Sequence, residues 1–145
     1  IRFGTGGWTG HEAIPLVEAP LAPLCAPALT ARLPHPSDLA QETLLRSYRS
    51  AEWTQWFDAA GTDCPPLTGP IFDSSVALAE LAASGAGAAL LPVIMFENWI
   101  AQGRLAQPFE VAVSVGRYYL AWPSDRRVSP AMAAFSNWLS GICAH

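Results

Sequence analysis

The sequence predicts an α/β fold, and three observations support this prediction. Its 145 residues suit a single domain, which usually has about 100–200 residues. Hydrophobic residues make up 51% of the chain and charged residues only 14%, so a substantial core is expected and intrinsic disorder is excluded as the main interpretation. Short apolar segments of strand character alternate with segments of helical period, which is typical of α/β proteins with largely parallel strand pairing.

The predicted strands are short, apolar and bounded by glycine, proline or polar residues. A glycine-rich loop follows the first strand, and prolines interrupt the second and the third. The predicted strands are residues 1–4, 13–17, 22–25, 43–46, 71–72, 88–91, 105–109, 111–115 and 117–122.

The predicted helices start at a capping residue or a proline, and several end near a glycine. Ser50 is expected to cap the helix over 51–60, with two tryptophans on its apolar face and Glu52 on its polar face. Ser37 is expected to cap a short turn. The helix over 76–84 is apolar nearly all round, so we expect it to be buried. The predicted helical segments are residues 27–33, 38–41, 51–60, 76–84, 93–101 and 131–142.

Two extended stretches with few helix signals, 18–23 and 110–116, bound one contiguous middle block. This pattern is expected when one lobe is inserted into another, with a ligand cleft between the two lobes. The chain combines high apolar content with little charge, so part of its surface is expected to be covered by something that this sequence does not contain. Separately, the last predicted helix carries an apolar stripe.

Charge and cysteine content exclude several classes of protein. The net charge is −4 and all eight basic residues are arginine, so the chain has no basic stripe and is not expected to bind DNA by itself. The absence of lysine excludes the P-loop motif and Schiff-base chemistry. The three cysteines are widely spaced, which favours reduced thiols in a cytoplasmic protein over a disulfide scaffold or a zinc site.

The sequence predicts no membrane span, cofactor, metal site or catalytic residue. The apolar stretch 76–96 is long enough to cross a bilayer, but Glu80, Gly85 and Pro92 divide it into helix, turn and strand. Residues 1–4 do not have the pattern of a signal peptide. The histidines, His11, His35 and His145, accompany no nucleophile motif, and the carboxylates have neither metal-site nor glycosidase spacing.

The most informative polar cluster is Asp73-Ser74-Ser75, directly before a predicted helix. One serine suffices to cap that helix, and the second leaves a hydroxyl beside the positive helix end, where a carboxylate could bind. These residues alone favour the capping role. Tyr118 and Tyr119 are adjacent on a predicted strand and face opposite sides, so one of them could face a cleft.

The glycine-rich loop over 4–10 fails the dinucleotide-binding template, because Thr9 stands at the third glycine position. A tight turn is the favoured interpretation. Glycines also let backbone amides face a ligand, so Thr5 in this loop is a candidate contact. Arg46 and Arg49 flank a short loop and are expected to be solvated or ion-paired.

Motifs along essentially the whole chain match one known pattern. They include Leu44-Leu45-Arg46, Trp53-x-x-Trp56, Phe72-Asp73-Ser74-Ser75, Tyr118-Tyr119-Leu120 and Ser129-Pro130-Ala131-Met132. With these motifs the chain resembles the effector-binding domain of LysR-type transcriptional regulators. Residues 19–25, 43–49 and 72–75 make it similar in particular to the AmpR-type regulators of chromosomal β-lactamase.

The resemblance implies a type II periplasmic-binding-protein-like fold, in which two α/β subdomains are joined by two crossing strands. Residues 1–18 and 117–145 would form the C-terminal part of subdomain I, and residues 24–112 would form subdomain II. The crossings would be residues 19–23 and 113–116. The winged helix-turn-helix of the family, its linker helix and the first strands of subdomain I would precede this chain.

The resemblance also implies a non-enzymatic sensor. In AmpR-type regulators a UDP-linked muramyl pentapeptide holds the repressing state, and anhydro-muropeptides relieve it. By motif, Ser75 and Tyr118 match residues of the effector pocket, and the predicted effector-binding set adds four neighbours, Ser74, Asp73, Phe72 and Thr5. The implied partners are a muropeptide effector, further copies of the chain in a homo-oligomer, and DNA through the N-terminal domain only.

Two alternatives remain open at this point. The chain could belong to another LysR-type regulator that senses a small carboxylate or an amino acid. It could also be a solute-binding protein with the same fold, which a signal peptide upstream would identify. An enzyme is the third and weakest interpretation.

Overall fold

The computed structural model describes residues 1–143, which divide into two units. The first unit combines Ile1–Ala19 with the residues from Ser114 onward, and the second consists of Pro20–Val113. The chain therefore passes between the units twice. The predicted subdomain boundaries stay a prediction, and the last two residues of the range 117–145, including His145, lie outside the described residues.

The first unit contains a three-stranded sheet followed by a helix. The strands are β1 (Arg2–Gly4), β2 (His11–Glu18) and β7 (Arg117–Pro123), and the helix is α4 (Pro130–Cys143). The sheet order is β1-β7-β2, and β7 is antiparallel to both neighbours. Ser129 caps α4, because its hydroxyl accepts a hydrogen bond from the Met132 amide at 3.2 Å.

The second unit contains a four-stranded sheet, three α-helices and two short 3₁₀ helices. Its strands are β3 (Leu21–Leu24), β4 (Leu44–Ser47), β5 (Ile71–Phe72) and β6 (Ala88–Pro92). Its α-helices are α1 (Glu52–Ala60), α2 (Ser75–Ala83) and α3 (Val93–Ala101), and the 3₁₀ helices are Pro27–Arg32 and Pro36–Gln41. The sheet order is β3-β6-β4-β5.

The expectation of largely parallel pairing is wrong for the first unit and only partly right for the second. In the first unit, β7 returns from the far end of the chain and runs against both strands that it joins. In the second unit, β4 is parallel to β5 and β6, whereas β3 is antiparallel to β6. Alternation along the chain does not reveal which strands become neighbours, and the neighbours decide the pairing.

The two strands predicted over 105–109 and 111–115 are also wrong. Each segment makes a single bridge, Cys25 to Ala106 and Leu21 to Val113. Proline has no amide hydrogen to donate to a ladder, so Pro108 weakens the first segment as a strand. The two bridges nevertheless hold this returning segment along β3, with Leu21–Val113 backbone hydrogen bonds of 2.8 and 2.9 Å.

The second unit contains nearly all of the fully buried side chains in the described residues. The apolar face predicted for α1 is confirmed, since Trp53, Trp56 and Phe57 are buried. Both indoles are tied to backbone carbonyls, Trp53 to Leu45 at 3.0 Å and Trp56 to Val111 at 2.9 Å. Burying large aromatic rings with their N–H groups satisfied is a strongly stabilising arrangement.

The helix α2 is buried on one face rather than all round. Leu78, Ala79 and Ala82 lie in the core with strand residues of β3 and β6, whereas 53% of Val76 is exposed. An apolar sequence pattern therefore overestimates the burial of this helix, because only the face that packs against the core needs to be apolar.

The first unit buries little within the described residues. Ala19 is its one fully buried residue in the described part of the chain, and the apolar stripe of α4 is largely exposed. Trp138 is 60% exposed, and Phe135 and Ile142 are also exposed. The predicted stripe is thus present on the helix without being covered by residues of this chain that the structure describes.

Two predicted helix caps are wrong. Ala51, not Ser50, is the N-cap of α1, and no side chain caps this helix end. His35, not Ser37, precedes the second 3₁₀ helix, where the Asp38 carboxylate accepts a hydrogen bond from the His35 amide at 2.8 Å. At the 3₁₀ helix an acidic side chain of the first turn, Asp38, takes the capping role that the sequence suggested for Ser37.

Glu52 is buried, although the sequence placed it on the polar face of α1. Its exposure is only 5%, and its carboxylate accepts a hydrogen bond from the Ser47 hydroxyl at 2.6 Å. The Arg49 guanidinium lies 3.4 Å from the same carboxylate. The loop between β4 and α1 is therefore closed by a satisfied buried charge.

Replacement of Glu52 by alanine is expected to destabilise the protein by about 1–3 kcal/mol. The substitution leaves the Ser47 hydroxyl and the Arg49 guanidinium without this acceptor. Urea unfolding followed by tryptophan fluorescence measures the change. The matched control Asp58→Ala removes an exposed carboxylate from the same helix and should shift stability by no more than about 0.5 kcal/mol. Equal losses in the two variants would contradict the buried network.

Candidate functional site

Ser74 and Ser75 start α2, and the structure gives their hydroxyls different environments. Ser74 is the N-cap with an extended backbone, and its hydroxyl accepts a hydrogen bond from the Ala77 amide at 3.3 Å. The half-buried Ser75 occupies the first helical position, and its hydroxyl makes no hydrogen bond to any residue that the structure describes. One serine thus suffices as the cap, and the other keeps a donor beside the positive end of the helix.

The two residues before this cap differ in role. Phe72, the last residue of β5, packs against the core of the second unit and is half-buried. Asp73 is exposed and connects β5 to the cap. Parallel pairing of Ser47 with Phe72 fixes where β5 ends, and this in turn fixes where α2 begins. Phe72 therefore positions the serines from the core side.

Tyr118 lies on β7 in the first unit, opposite Phe3 of β1 and Val17 of β2. Its ring packs edge-on against Phe3, with ring centroids 5.1 Å apart. Tyr119 takes the opposite face of the sheet, where its ring packs against Trp8 and its hydroxyl donates to the Thr5 carbonyl oxygen at 3.2 Å. The structure therefore places Tyr118 on the Phe3 face of the sheet and Tyr119 on the Trp8 face, whereas the sequence showed only that the two faces differ.

The structure places the predicted effector-binding residues in both units. Phe72, Asp73, Ser74 and Ser75 are consecutive in the second unit, and Thr5 and Tyr118 belong to the first. Within the first unit, the backbone of Thr5 accepts a hydrogen bond from Tyr119.

The first unit also contains a polar pocket that the sequence did not indicate. Its volume is about 230 Å³, and Thr5, Glu18, Ser114, Arg117 and Tyr119 line it together with two glycines. Arg117 donates a hydrogen bond to Glu18 at 2.9 Å. Because these partners lie 99 positions apart in the chain, no local spacing could have paired them, and only the register of β7 with β2 does so.

The described residues offer no metal site. No group of three or more histidine, cysteine, aspartate or glutamate side chains lies close enough to hold a metal ion in the part of the chain that the structure covers. Over the same residues, no helix combines the length and the apolar character that a bilayer crossing requires.

Cys25 is a poor nucleophile in this fold. Its side chain is fully buried, and burial, with a smaller contribution from Glu42, raises the pKa of the thiol from 9.0 to about 11. The thiol is therefore protonated at neutral pH, and thiolate chemistry has no support at this position.

Comparison with known proteins gives one consistent result. The family model described as the LysR substrate binding domain matches residues 1–144. An HTH-type transcriptional activator, AmpR of Rhodobacter capsulatus, is 77% identical over 144 residues, which cover 99% of this chain and 50% of that protein. The chain thus spans about half the length of the curated relatives that it matches.

Solved structures agree with the sequence relatives. The effector domain of the transcriptional regulator AmpR of Pseudomonas aeruginosa has a TM-score of 0.95 and 45% identity, covering 99% of this chain and 70% of that one. A Citrobacter freundii effector-binding domain with three substitutions has a TM-score of 0.94 and 37% identity, covering 98% of this chain and 73% of that one. The substitutions change a threonine to valine, a serine to alanine and a tyrosine to phenylalanine.

Replacing Ser74 and Ser75 one at a time should show which of the two hydroxyls caps α2. Ser74→Ala is expected to cost about 1 kcal/mol of stability, because the Ala77 amide loses its acceptor. Ser75→Ala should change stability by less than about 0.5 kcal/mol, since its hydroxyl bonds to no side chain or carbonyl among residues 1–143. Urea denaturation of both variants tests this difference, and the reverse order would show that the cap is misassigned.

The burial of Cys25 predicts a difference in thiol reactivity. At pH 8 only about one Cys25 thiol in a thousand is ionised, so iodoacetamide should alkylate the half-buried Cys64 much faster than Cys25. Mass spectrometry of the cysteine peptides over time measures both rates. When the assay is repeated in 8 M urea, the two cysteines should be alkylated at similar rates. Equal rates in the folded protein would contradict the burial of Cys25.

Proposed function

We propose that this chain, which belongs to the LysR substrate-binding domain family, is the effector-sensing part of a transcriptional regulator that controls β-lactamase expression in response to cell-wall muropeptides. The match over residues 1–144 and the relatives named as AmpR activators support this proposal. It is a binding function without a catalytic step. DNA binding would belong to another part of the full-length gene product, because the chain is acidic and has no basic stripe.

The residues proposed to contact the effector are Ser75 and Tyr118, with Ser74, Asp73, Phe72 and Thr5 around them. Each substitution in the Citrobacter freundii effector-binding domain removes a hydroxyl from a side chain of nearly the same shape. The serine and the tyrosine substituted there are separated by the same number of residues as Ser75 and Tyr118. This agreement is the observation that carries the assignment of these two residues.

The local chemistry of α2 fits a carboxylate of a muropeptide. The first amides of a helix have no intrahelical acceptor, and the helix dipole places partial positive charge there. Because Ser74 already serves as the cap, Ser75 contributes a further donor without any loss of helix stability. A peptide carboxylate would receive these donors as charge-assisted hydrogen bonds.

In this proposal the effector shifts an equilibrium between two states of the regulator. A ligand changes such an equilibrium only as far as it binds one state better than the other. The change of state would be passed through the contacts of a homo-oligomer to the DNA-binding domains of the same regulator. Muramyl pentapeptide linked to UDP would favour one state, and anhydro-muropeptides would favour the other.

Isothermal titration of the full-length gene product with UDP-linked muramyl pentapeptide tests the proposal. The wild type should bind the compound. Ser75→Ala should weaken binding about tenfold, the effect of losing a hydrogen bond to a charged group, and Tyr118→Phe should weaken it several-fold. The thermal stability of both variants should remain close to that of the wild type.

Two exposed hydroxyls serve as matched controls. Ser84→Ala removes a serine at the other end of α2, and Tyr48→Phe removes the hydroxyl of an exposed tyrosine. Neither variant should change the affinity. Absence of binding by the wild type would overturn the effector, whereas unchanged binding by both Ser75→Ala and Tyr118→Phe would overturn the assigned residues.

A further inference from the structure

The strand β5 forms one edge of the four-stranded sheet, directly before the candidate serines of α2. The sheet order is β3-β6-β4-β5, so β5 has a neighbouring strand, β4, on one side only. It consists of Ile71 and Phe72, and the cap Ser74 continues in extended conformation with φ −123° and ψ 121°. An unpaired strand edge is a template on which a second extended chain adds main-chain hydrogen bonds.

The contact with β4 shows which backbone groups of β5 face this open edge. The Arg46 amide donates a hydrogen bond to the Pro70 carbonyl oxygen at 2.9 Å, so this carbonyl points toward β4. The Ile71 amide belongs to the same planar, trans peptide unit and therefore points in the opposite direction, away from β4. The Ile71 carbonyl points to that side as well, because a strand residue directs its own N–H and C=O to one neighbour.

Both outward groups of Ile71 lack a partner in the described part of the chain. Neither its amide nor its carbonyl forms a hydrogen bond with any of residues 1–143. The residue is 57% exposed, and Val76 in the first turn of α2 is 53% exposed. One donor, one acceptor and apolar surface are thus available on the strand that leads to Ser75.

The residues on either side of this position keep the available edge short. Pro70 has no amide hydrogen to donate, and Asp73 places an exposed charge just beyond the strand. Proline and charged residues on an edge oppose pairing with a long strand of another protein. The edge therefore suits a short peptide that needs the two hydrogen bonds of a single residue.

We propose that the peptide of the effector binds in extended conformation along β5, with main-chain hydrogen bonds to Ile71 and its terminal carboxylate at the start of α2. This inference rests on the proposed function, because it describes how the second unit holds the same muropeptide. The peptide runs parallel to β5, since its carboxyl end lies at the positive end of α2.

The hydrogen bonds and the spacing follow from this direction. The Ile71 amide donates to one peptide carbonyl, and the Ile71 carbonyl accepts from the peptide amide two residues further on. Ser75 lies four positions after Ile71, which is at most about 14 Å along an extended chain. Three or four extended residues of the peptide span this length, so the peptide is long enough to reach both Ile71 and Ser75.

Hydrogen–deuterium exchange of the full-length gene product measures the first of these hydrogen bonds. Without ligand the Ile71 amide should exchange quickly, because it has no acceptor. Saturation with UDP-linked muramyl pentapeptide should slow its exchange about tenfold or more, measured by mass spectrometry with fragmentation to single residues. The Thr68 amide, on the exposed loop before β5, also has no acceptor among residues 1–143, and its exchange should not change.

Proline substitutions test the same hydrogen bond through the affinity. Ile71→Pro removes the amide hydrogen that points away from β4 and leaves the Pro70 carbonyl available to Arg46, so the strand should persist. Binding of the pentapeptide should weaken about fivefold to tenfold. Thr68→Pro is the matched control and should leave the affinity unchanged. Thermal unfolding of both variants shows whether the fold survives.

Methylated ligands test the second hydrogen bond without any change to the protein. Methylation of each peptide nitrogen of the pentapeptide in turn removes one N–H donor at a time. Methylation at one position should weaken binding to the wild type about tenfold, because the Ile71 carbonyl loses its donor there. The other positions should tolerate the methyl group better.

The outcomes separate this inference from the proposed function. If the wild type binds the pentapeptide and the exchange of Ile71 is unchanged, the pairing with β5 is overturned and the proposed function stands. Full affinity of Ile71→Pro together with full affinity of every methylated peptide leads to the same conclusion. Protection of Ile71 without ligand would show that another segment or a second copy covers β5, and this also overturns the inference. If the wild type does not bind the pentapeptide, the proposed function fails and the inference fails with it.

Discussion

The register of β7 between β1 and β2 is the constraint on which the first unit depends. Arg117 pairs with Gly4 on one side and with Glu18 on the other, and Tyr118 pairs with Phe3 and Val17. A slip of one residue would move every side chain of β7 to the other face of the sheet. The ion pair, the pocket and the position of Tyr118 would then all be lost together. These three features of the first unit therefore rest on one set of backbone hydrogen bonds.

The second unit supports its candidate residues in a different way, through a core. The apolar residues of α2 and β6 form a buried cluster with residues of the neighbouring strands and α3, and Phe72 packs against this cluster just before the serines. This rigid base determines the direction of α2 and hence the position of its first turn. Ser74 alone caps the helix and the Ser75 hydroxyl is not needed for this, because one hydroxyl is enough to accept from the Ala77 amide.

Most helices and strands could be predicted, because each depends on a local pattern. The helix α1 follows from the spacing of Trp53, Trp56 and Phe57, and β6 from a short apolar run between glycine and proline. Predictions failed where contacts that the helical period does not describe decided the result. The sequence places Glu52 in solvent because it lies opposite the aromatic face, yet the preceding loop folds Ser47 and Arg49 onto its carboxylate and buries it. The segments 105–109 and 111–115 read as strands, but each found only a single bridge.

The family, the α/β class and the capping cluster at Ser74 can be predicted from the sequence, because motifs and helix caps are properties of neighbouring residues. The motifs also single out Ser75 and Tyr118 as candidates. The packing partners of the two adjacent tyrosines, the antiparallel pairing of β7 and the Arg117–Glu18 pair become known only from the folded chain. The physical reason is that strand register joins residues from opposite ends of the chain, and no local pattern records which partner each strand will find.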